Sequence, residues 1–358
     1  MLRTEPWSRR ALALLLGVVL LSSGCSSSST PGDSDGRQNF LTIGTAPAGG
    51  AFYVVGGAIA EVLNEHPGEL KWKAQPKGTK GSQENIRRLD KGELQLALSN
   101  AAITYFAVRG EAGWEKKYDT QAVMTLAPNV ALFIAKKDSG ILTMADLKGK
   151  KVSIGPSGAG FEMFVEPILK AHGLSMDDIT KVNSTQTNAV DQLGDGVIDA
   201  AFLGGAVPTS SIVQAASSAE ITYIPFDEDA RQKLIAEYEF FHPATIPADT
   251  YKGMTDDFEG LNVGSMHLVT AGNASEELIY EITKTLWENR EEVAKKHPAG
   301  KAINPKNAAR KTGTPFHPGA IRFYKEAGIW EDGAAKADAG DAPAADAPAP
   351  AADAPAAG

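Results

Sequence analysis

From Phe40 onward the chain alternates short apolar runs with longer amphipathic stretches, and this alternation constrains the fold more than any other feature. The runs FLTIG, LKWKAQ and LQLAL are separated by helical stretches over residues 51–66 and 82–90. The later runs KKVSIG, KVN and DAAFL are separated by helical stretches over residues 158–172 and 188–195. Repeated strand–helix alternation is typical of parallel sheets covered by helices. The sequence therefore predicts an α/β protein.

The two halves of this pattern begin alike. A strand, a glycine-rich turn and a helix start occur at residues 43–50 and again at residues 154–160. Each half continues to a second helix that opens with short polar residues, in TKGSQEN and in STQTNAV. Open α/β sheets bind ligands at the carboxyl ends of their strands, where helix N-termini present unpaired N–H groups. Two such edges facing each other would form a cleft suited to an anion.

Several classes of function lack their usual sequence features. Neither GTAPAGG nor GTKGS has the spacing of G-x-G-x-x-G or G-x-x-x-x-G-K-[ST], which argues against nucleotide binding. Cys25 is the only cysteine, so the folded body has no disulfide and no thiolate metal site. The 6 histidines include no H-E-x-x-H pair, and Ser157 lies in GPSGAG rather than in G-x-S-x-G. We therefore expect that the protein is not an enzyme and that it has no catalytic residues, no cofactor and no metal.

Residues 1–24 have the layout of a signal peptide. Three arginines precede an apolar run that is too short to span a membrane, and small residues follow it. These small residues lead directly into Cys25, as in bacterial lipoprotein signals, where the cysteine is lipidated and becomes the mature N-terminus. Ser22 stands where such signals usually carry leucine, and an ordinary cleaved signal with an incidental cysteine is the alternative. The sequence predicts a periplasmic protein held to a membrane through a lipid on Cys25.

The segments that flank the body are low in complexity. Residues 25–39 are rich in Ser, Gly and Asp and are expected to form the lipid anchor and a flexible tether. Residues 333–358 repeat Ala, Pro and Asp and are expected to be a disordered tail. The net charge is −9 at pH 7, and loss of the arginine-rich leader makes the chain more acidic still. Because nucleic-acid binding needs clustered positive charge, no nucleic-acid partner is expected.

Six segments of the body resemble, in order and spacing, the TAXI family of substrate-binding receptors. They are IGTAPAGGAFYVVGGAIAEVLN, KGTKGSQENIRRLDKGELQLAL, ADLKGKKVSIGPSGAGFE, DGVIDAAFLGGAVPTSSI, IPADTYKG and FHPGAIRFYKEAGIW. The resemblance runs from about Phe40 to Trp330. It implies a two-lobed periplasmic-binding-protein fold of type II with two crossing hinge strands. Lobe 1 would comprise residues 40–130 and 262–332, and lobe 2 residues 131–261.

The same resemblance implies a function. Receptors of this family bind a small organic acid between their lobes and deliver it to the membrane subunits of a TRAP transporter. For this chain we expect a dicarboxylate, a 2-oxoacid or a related carboxylate, with an amino acid of the glutamate or glutamine type as the alternative ligand. The membrane partner is expected to be a fused pair of small and large subunits. A sensor of the same fold that acts on a signalling partner is the alternative function.

The matching motifs place the expected ligand contacts at the two sets of strand ends. Backbone N–H groups at glycine-rich helix starts, together with hydroxyls, hold a carboxylate through charge-assisted hydrogen bonds. The expected ligand-binding residues are Thr45, Gly49, Gly50, Ala51, Tyr53, Lys80, Ser82, Asn85, Asn100, Asn129, Ser157, Gly158, Phe161 and Gly205.

At several of these positions the chain departs from the family pattern. Asn100 and the two alanines after it replace a common Gln-Ser-Asp, and Asn129 replaces an acidic residue. Ala159 and Phe161 replace residues with hydroxyl groups. An ammonium buried without an acidic partner is costly, so we expect an amine-free acid to bind better than an α-amino acid.

For three residues the sequence leaves two roles open. Lys80 would contact a second carboxylate or extend into solvent, as long lysine side chains often do. The Ser82 hydroxyl would cap its own helix or donate to the ligand. Phe161 would form an apolar wall of the site or pack into the core of lobe 2.

Overall fold

Two mixed sheets with helices on their faces form the body of the protein. The structure is a computed structural model that describes residues 40–48 and 50–331. The strands are β1 (Phe40–Gly44), β2 (Lys73–Lys77), β3 (Leu96–Asn100), β4 (Thr120–Thr125), β5 (Val130–Lys136), β6 (Lys151–Ser153), β7 (Thr180–Val182), β8 (Ala200–Gly205), β9 (Ile221–Ile224), β10 (Phe241–Ile246), β11 (Phe258–Val263) and β12 (Met266–Ala271). The helices are α1 (Ala51–Glu65), α2 (Ser82–Asp90), α3 (Ala101–Arg109), α4 (Glu162–Ala171), α5 (Gln186–Gly194), α6 (Ser210–Ser218), α7 (Glu228–Glu237), α8 (Glu276–Glu288), α9 (Arg290–Lys296) and α10 (Pro318–Glu326).

The first sheet has the strand order β2-β1-β3-β12-β4. β1 is parallel to β2 and β3, whereas β12 is antiparallel to β3 and β4. Leu41 and Ile43 alternate as buried residues along β1, and they share a core with Val55 and Ile59 of α1, which lie four residues apart on one helical face. α10 joins the same core through Tyr324, which is 0 % exposed.

The second sheet has the strand order β10-β11-β5-β8-β6-β7, and β9 also pairs with β5. β6 is parallel to β7 and β8, whereas β5 is antiparallel to β8, β9 and β11. β5 is buried on both faces. Phe133 packs with Phe164 of α4 on one face, and Leu132 packs with Val190 of α5 and Ile212 of α6 on the other.

The chain passes between the two sheets twice. It crosses at residues 126–129, between β4 and β5, and at residues 264–265, between β11 and β12. Gly264 has a φ of 107°, a conformation that favours glycine. β4 is an antiparallel neighbour of β12, and β5 of β11, so the two crossings run in opposite directions between the same pair of sheets. Each sheet with its helices forms one lobe, which confirms the predicted two-lobed α/β fold.

Two expectations about local structure were wrong. The sheets are mixed rather than parallel, because the strands at the crossings run against their neighbours. The helix expected from residue 158 begins at Glu162, because Gly158 and Gly160 adopt φ angles of 77° and 92°, which no α-helix accommodates.

Some of the predicted features lie outside the described residues and stay predictions. They are the signal peptide over residues 1–24, the lipidation site Cys25, the tether over residues 25–39, Gly49 and the tail over residues 333–358. Within the part of the chain that the structure describes, no helix combines the length and apolar character needed to cross a membrane.

Candidate functional site

The loops after β1 and β2 and the junction of β3 with α3 form the first rim, at the carboxyl ends of three parallel strands. Thr45 is fully buried there, and its carbonyl accepts hydrogen bonds from Asn85 Nδ2 at 2.7 Å and from Thr79 Oγ1 at 2.9 Å. Asn85 Nδ2 also donates to the Leu98 carbonyl at 2.8 Å, so Asn85 ties the end of β1 to β3. The Thr45 hydroxyl donates to the Lys77 carbonyl at 3.0 Å, which directs its proton into the protein.

Ser82, the first residue of α2, links this helix to the end of β3. Its Oγ accepts a hydrogen bond from the Asn100 N–H at 3.0 Å. Of the two roles left open for Ser82, the cap of its own helix is excluded, because Gly81 occupies the cap position of α2. A hydroxyl that accepts one bond still has its own proton to donate. Ser82 therefore keeps one donor for a ligand.

Asn100 and Asn129 lie at the crossings between the lobes. The Asn100 side chain accepts from the Ala102 N–H at 2.8 Å, which caps α3, and donates to the Gly264 carbonyl at 2.8 Å. Asn129 donates its backbone N–H to Asn262 Oδ1 at 3.1 Å. The amide of Asn100 is thus committed to the junction of β3 with the crossing at residues 264–265.

The start of α1 offers backbone donors to the first rim. α1 begins at Ala51 after Gly50, whose N–H donates to the Pro47 carbonyl at 3.2 Å. The first turn of α1 contains no acidic residue, and no described side chain caps it. The Tyr53 N–H donates to the Gly50 carbonyl at 3.0 Å, so the positive end of the helix dipole and the N–H groups of Ala51 and Phe52 are left for another acceptor. Tyr53, also in this turn, is 44 % exposed.

The loops after β6 and β8 form the second rim. Ser157 is exposed there, next to Gly158. The Phe161 ring lies 5.1 Å, centroid to centroid, from the ring of Phe164 and directly over Gly155, where a Cβ would be 2.2 Å from the ring. Of the two roles predicted for Phe161, the structure favours packing, because the partly buried ring lies against the core of the second lobe.

Gly205 lies at the end of β8, opposite Val130 of β5. The turn that follows is fixed by Thr209, whose hydroxyl donates to the Ala206 carbonyl at 3.2 Å and whose N–H donates to the Tyr251 hydroxyl at 2.8 Å. This part of the second rim is therefore held in shape by contacts within its own lobe.

The two rims approach each other closely. A Cβ on Gly81 of the first rim would lie 3.5 Å from the Ala159 Cβ of the second, and a Cβ on Gly158 would lie 3.8 Å from Lys80 Cδ. Gly160 approaches the first lobe even more closely, with a Cβ there 3.0 Å from Gln83 Cγ. The exposed Lys80 thus runs beside the opposite rim, and the structure has the lobes closed at this point.

Two basic residues beside the crossings were not identified as candidate site residues from the sequence. Arg310 belongs to the first lobe, where its carbonyl accepts from Thr125 Oγ1 at 2.9 Å at the end of β4. His242 belongs to the second lobe and lies on β10 opposite Asn262. Burial, and then the charge of Arg310, lowers the pKa of His242 to about 4, and burial lowers the pKa of Arg310. Neither residue stands in a recognisable motif, so only a structure could bring them together.

A cluster on the outer side of the first lobe could hold a metal ion within the described residues. Glu65, His66 and Glu292 present their ligand atoms within 4.8 Å of one another. His66 Nε2 lies 2.9 Å from Glu292 Oε2, and Lys296 Nζ lies 2.9 Å from Glu65 Oε1. The hydrogen bond from His66 lowers the pKa of Glu292. Because basic groups already pair with both carboxylates, we interpret the cluster as a surface ion-pair network.

Two mixed α/β lobes, joined by two crossings and closed across facing rims, define the fold class of the two-lobed periplasmic binding proteins. The chain belongs to the NMT1-like family, whose sequence profile it matches over residues 43–328.

Several solved structures are similar to this one. The alkanesulfonate-binding protein SsuA from Xanthomonas axonopodis pv. citri, bound to MOPS, is 17% identical, with 75% of this chain and 82% of that chain covered and a TM-score of 0.47. The amino acid ABC transporter substrate-binding protein AbpA from Streptococcus pneumoniae Canada MDR_19A, bound to L-arginine, is 15% identical, with coverages of 74% and 96% and a TM-score of 0.44. CAE31940 from Bordetella bronchiseptica RB50 is 16% identical, with coverages of 80% and 89% and a TM-score of 0.49.

Proposed function

We propose that this chain is the extracytoplasmic solute receptor of a TRAP transporter of the TAXI type, and that it captures a small organic acid between its lobes. The close approach of the two rims at Gly81 and Ala159 carries the proposal, because it sets the start of α2 in the first lobe against the loop after β6 in the second. Such positions in α/β proteins bind small anions through backbone N–H groups. Membership of the NMT1-like family and the TAXI-like motifs support the same function.

Backbone N–H groups and hydroxyls of the rims can account for a micromolar affinity. Charge-assisted hydrogen bonds from N–H groups or hydroxyls to a carboxylate contribute about 1.5–3 kcal/mol each. Three or four of them, less the cost of ordering and closing the site, are consistent with the roughly −8 kcal/mol of a micromolar receptor. The uncapped start of α1 and the free proton of Ser82 are the donors that we assign to this role.

We further propose that the preferred acid has no amino group. The position at which related receptors carry an acidic side chain near Asn100 is occupied here by alanine, and the Asn100 amide is committed to Ala102 and Gly264. Neither Asn100 nor this alanine therefore offers a carboxylate to an ammonium group. A 2-oxoacid or dicarboxylate avoids the cost of burying that charge.

In the cell, we place the receptor in the periplasm, anchored through a lipid on Cys25 and a tether over residues 25–39. Closure of the lobes around the acid is the signal by which the transporter subunits would recognise the loaded receptor. Transport of the acid into proteoliposomes that hold the fused membrane subunits, only when the receptor is added, tests this partnership directly.

A thermal-shift screen tests the ligand class. The panel contains 2-oxoglutarate, succinate, glutarate, pyruvate and lactate, with glutamate and glutamine as the amine-bearing comparisons. A ligand at a hundredfold excess over its Kd stabilises the folded state by about 2.7 kcal/mol, which gives a measurable rise in Tm. Tighter binding of glutamate than of 2-oxoglutarate in calorimetry would contradict the amine-free preference.

A further inference from the structure

Arg310 differs from the other arginines of the described residues in having no partner for its guanidinium. Each of the others donates to a carboxylate or a backbone carbonyl. These pairs are Arg87 with Glu115, Arg88 with Glu84 and Glu93, Arg109 with Gly313, Arg231 with Glu228 and Glu259, Arg290 with Trp287, and Arg322 with Glu276 and Glu277. The Arg310 side chain is nevertheless half-buried.

The backbone holds Arg310 at the first crossing. Its N–H donates to the Asn307 carbonyl at 2.9 Å, and its carbonyl accepts from Thr125 Oγ1 at 2.9 Å. Asn307 Nδ2 in turn donates to the carbonyls of Thr125 at 3.1 Å and Leu126 at 3.0 Å. The segment that carries Arg310 is therefore fixed to the end of β4, where the chain leaves the first lobe.

His242 lies on β10 of the second lobe, opposite Asn262, whose Oδ1 accepts the Asn129 N–H at the first crossing. The Nε2 of His242 is buried and has no hydrogen-bond partner among the described residues. With its pKa lowered by burial and by Arg310, the imidazole is neutral at pH 7, and a neutral imidazole has one N–H donor. No hydrogen bond joins the two side chains, so neither the imidazole nor the guanidinium satisfies the other.

The group that this junction lacks is a negatively charged acceptor. A half-buried guanidinium without a partner is costly, and a neutral imidazole beside it cannot relieve that cost. A carboxylate matches the planar guanidinium through two parallel N–H···O bonds. We propose that Arg310 of the first lobe, beside His242 of the second, binds the carboxylate of the captured acid at the junction of the lobes.

The inference rests on the proposed function only in taking the captured solute to be an acid. A carboxylate at this position would contact residues from both lobes, next to the crossings about which the lobes move. Binding at Arg310 would therefore favour the closed arrangement, in addition to holding the ligand.

The test uses sodium formate, the smallest carboxylate, with sodium chloride at equal ionic strength as the reference. For the full chain we expect Tm to rise in formate beyond its value in chloride. Arg310→Gln should abolish this difference, Arg310→Lys should retain part of it, and His242→Phe should reduce it. Arg322→Gln, which removes an arginine already paired with Glu276 and Glu277, should behave as the wild type.

An equal formate effect in the wild type and in Arg310→Gln, or no formate effect in the wild type, overturns the inference. If Arg310→Gln does not fold, wild-type crystals soaked in sodium bromide decide the matter. Anomalous density at the guanidinium is then expected, and its absence overturns the inference. Two further outcomes distinguish this inference from the proposed function. If the formate effect requires Arg310 but no acid of the panel binds more tightly than formate, the anion site stands and the proposed function is wrong. If an acid binds equally well to the wild type and to Arg310→Gln, the proposed function stands and the site at Arg310 is wrong.

Discussion

At the scale of single residues, buried asparagines fix the first rim. Asn85 is 0 % exposed, and its Nδ2 is the donor for the carbonyls of Thr45 and Leu98 at the ends of two strands. A buried carbonyl that loses its hydrogen-bond donor lowers the free energy of unfolding by about 1–3 kcal/mol. The Thr45 carbonyl keeps a second hydrogen bond, from Thr79 Oγ1, so losing Asn85 costs less at Thr45 than at Leu98.

We therefore expect Asn85→Ala to lower the free energy of unfolding by about 2–4 kcal/mol, measured by urea denaturation. The matched control is Asn188→Ala on the exposed face of α5, which should change it by less than about 0.5 kcal/mol. Similar losses in the two variants would show that Asn85 does not join β1 to β3.

Two buried histidines make stability depend on pH. Burial lowers the pKa of His267 to about 3, and burial together with Arg310 lowers that of His242 to about 4. Both values are below the ordinary 6.5, so between pH 6.5 and these values the unfolded chain binds more protons than the folded chain. The stability that each histidine contributes is complete above pH 6.5 and is lost as pH falls.

From pH 6.5 to pH 5 we expect each histidine to reduce the free energy of unfolding by about 1.5 kcal/mol. His267→Gln should remove its share of this dependence, although it also loses the contact of Nε2 with Thr312 Oγ1 at 2.9 Å. Urea titrations at several pH values measure the slope. A slope in His267→Gln equal to that of the wild type would contradict the assignment to His267.

At the scale of elements, the crossing at residues 264–265 is closely packed against the start of α3. A Cβ on Gly264 would lie 2.4 Å from Asn100 Oδ1 and 2.8 Å from the Ala102 nitrogen. These contacts involve the cap of α3, so the side chain of Asn100 cannot move aside without breaking it. The φ of 107° adds backbone strain to any substitution.

We expect Gly264→Ala to lower the free energy of unfolding by about 3–5 kcal/mol, from the contact with Asn100 and Ala102 and from the backbone strain. Gly253→Ala separates these causes, because Gly253 has a φ of 84° but no atom within 4 Å of a Cβ. It should cost only about 1–2 kcal/mol. Equal losses would mean that strain alone, and not the packing of the crossing, requires glycine.

Elements that are determined by a local sequence pattern could be predicted, whereas features that depend on contacts between distant segments could not. α2 was predicted with its observed limits, Ser82–Asp90, because its apolar spacing and polar start are complete within the segment. The antiparallel strands beside the crossings could not be predicted, since strand direction follows from pairing between distant segments. The role of Asn100 at Gly264 depends on a contact across 164 residues. Arg310 and His242 belong to different lobes and to no motif, so the sequence does not relate them.

At the scale of the whole molecule, the two lobes contact each other through aromatic side chains as well as through the two rims. Tyr105 of α3, in the first lobe, packs its ring 5.1 Å from that of Phe240 and 6.5 Å from that of Tyr238, both in the second lobe. Ile103 and Phe106 of α3 belong to the same apolar cluster as the core of the second lobe. Closure therefore buries aromatic surface, and it does not depend on hydrogen bonds to a ligand alone.

Removing one aromatic ring from this contact should favour the open arrangement. An aromatic pair contributes about 0.5–1.5 kcal/mol beyond its buried area, so Tyr105→Ala should shift the closing equilibrium several-fold. We expect a larger radius of gyration by small-angle X-ray scattering and weaker binding of any acid that the wild type captures. Tyr280→Ala is the matched control, because that ring packs on Phe323 within the first lobe, at 6.0 Å. If the two variants show the same radius of gyration, the contact of α3 with Tyr238 and Phe240 does not hold the lobes together.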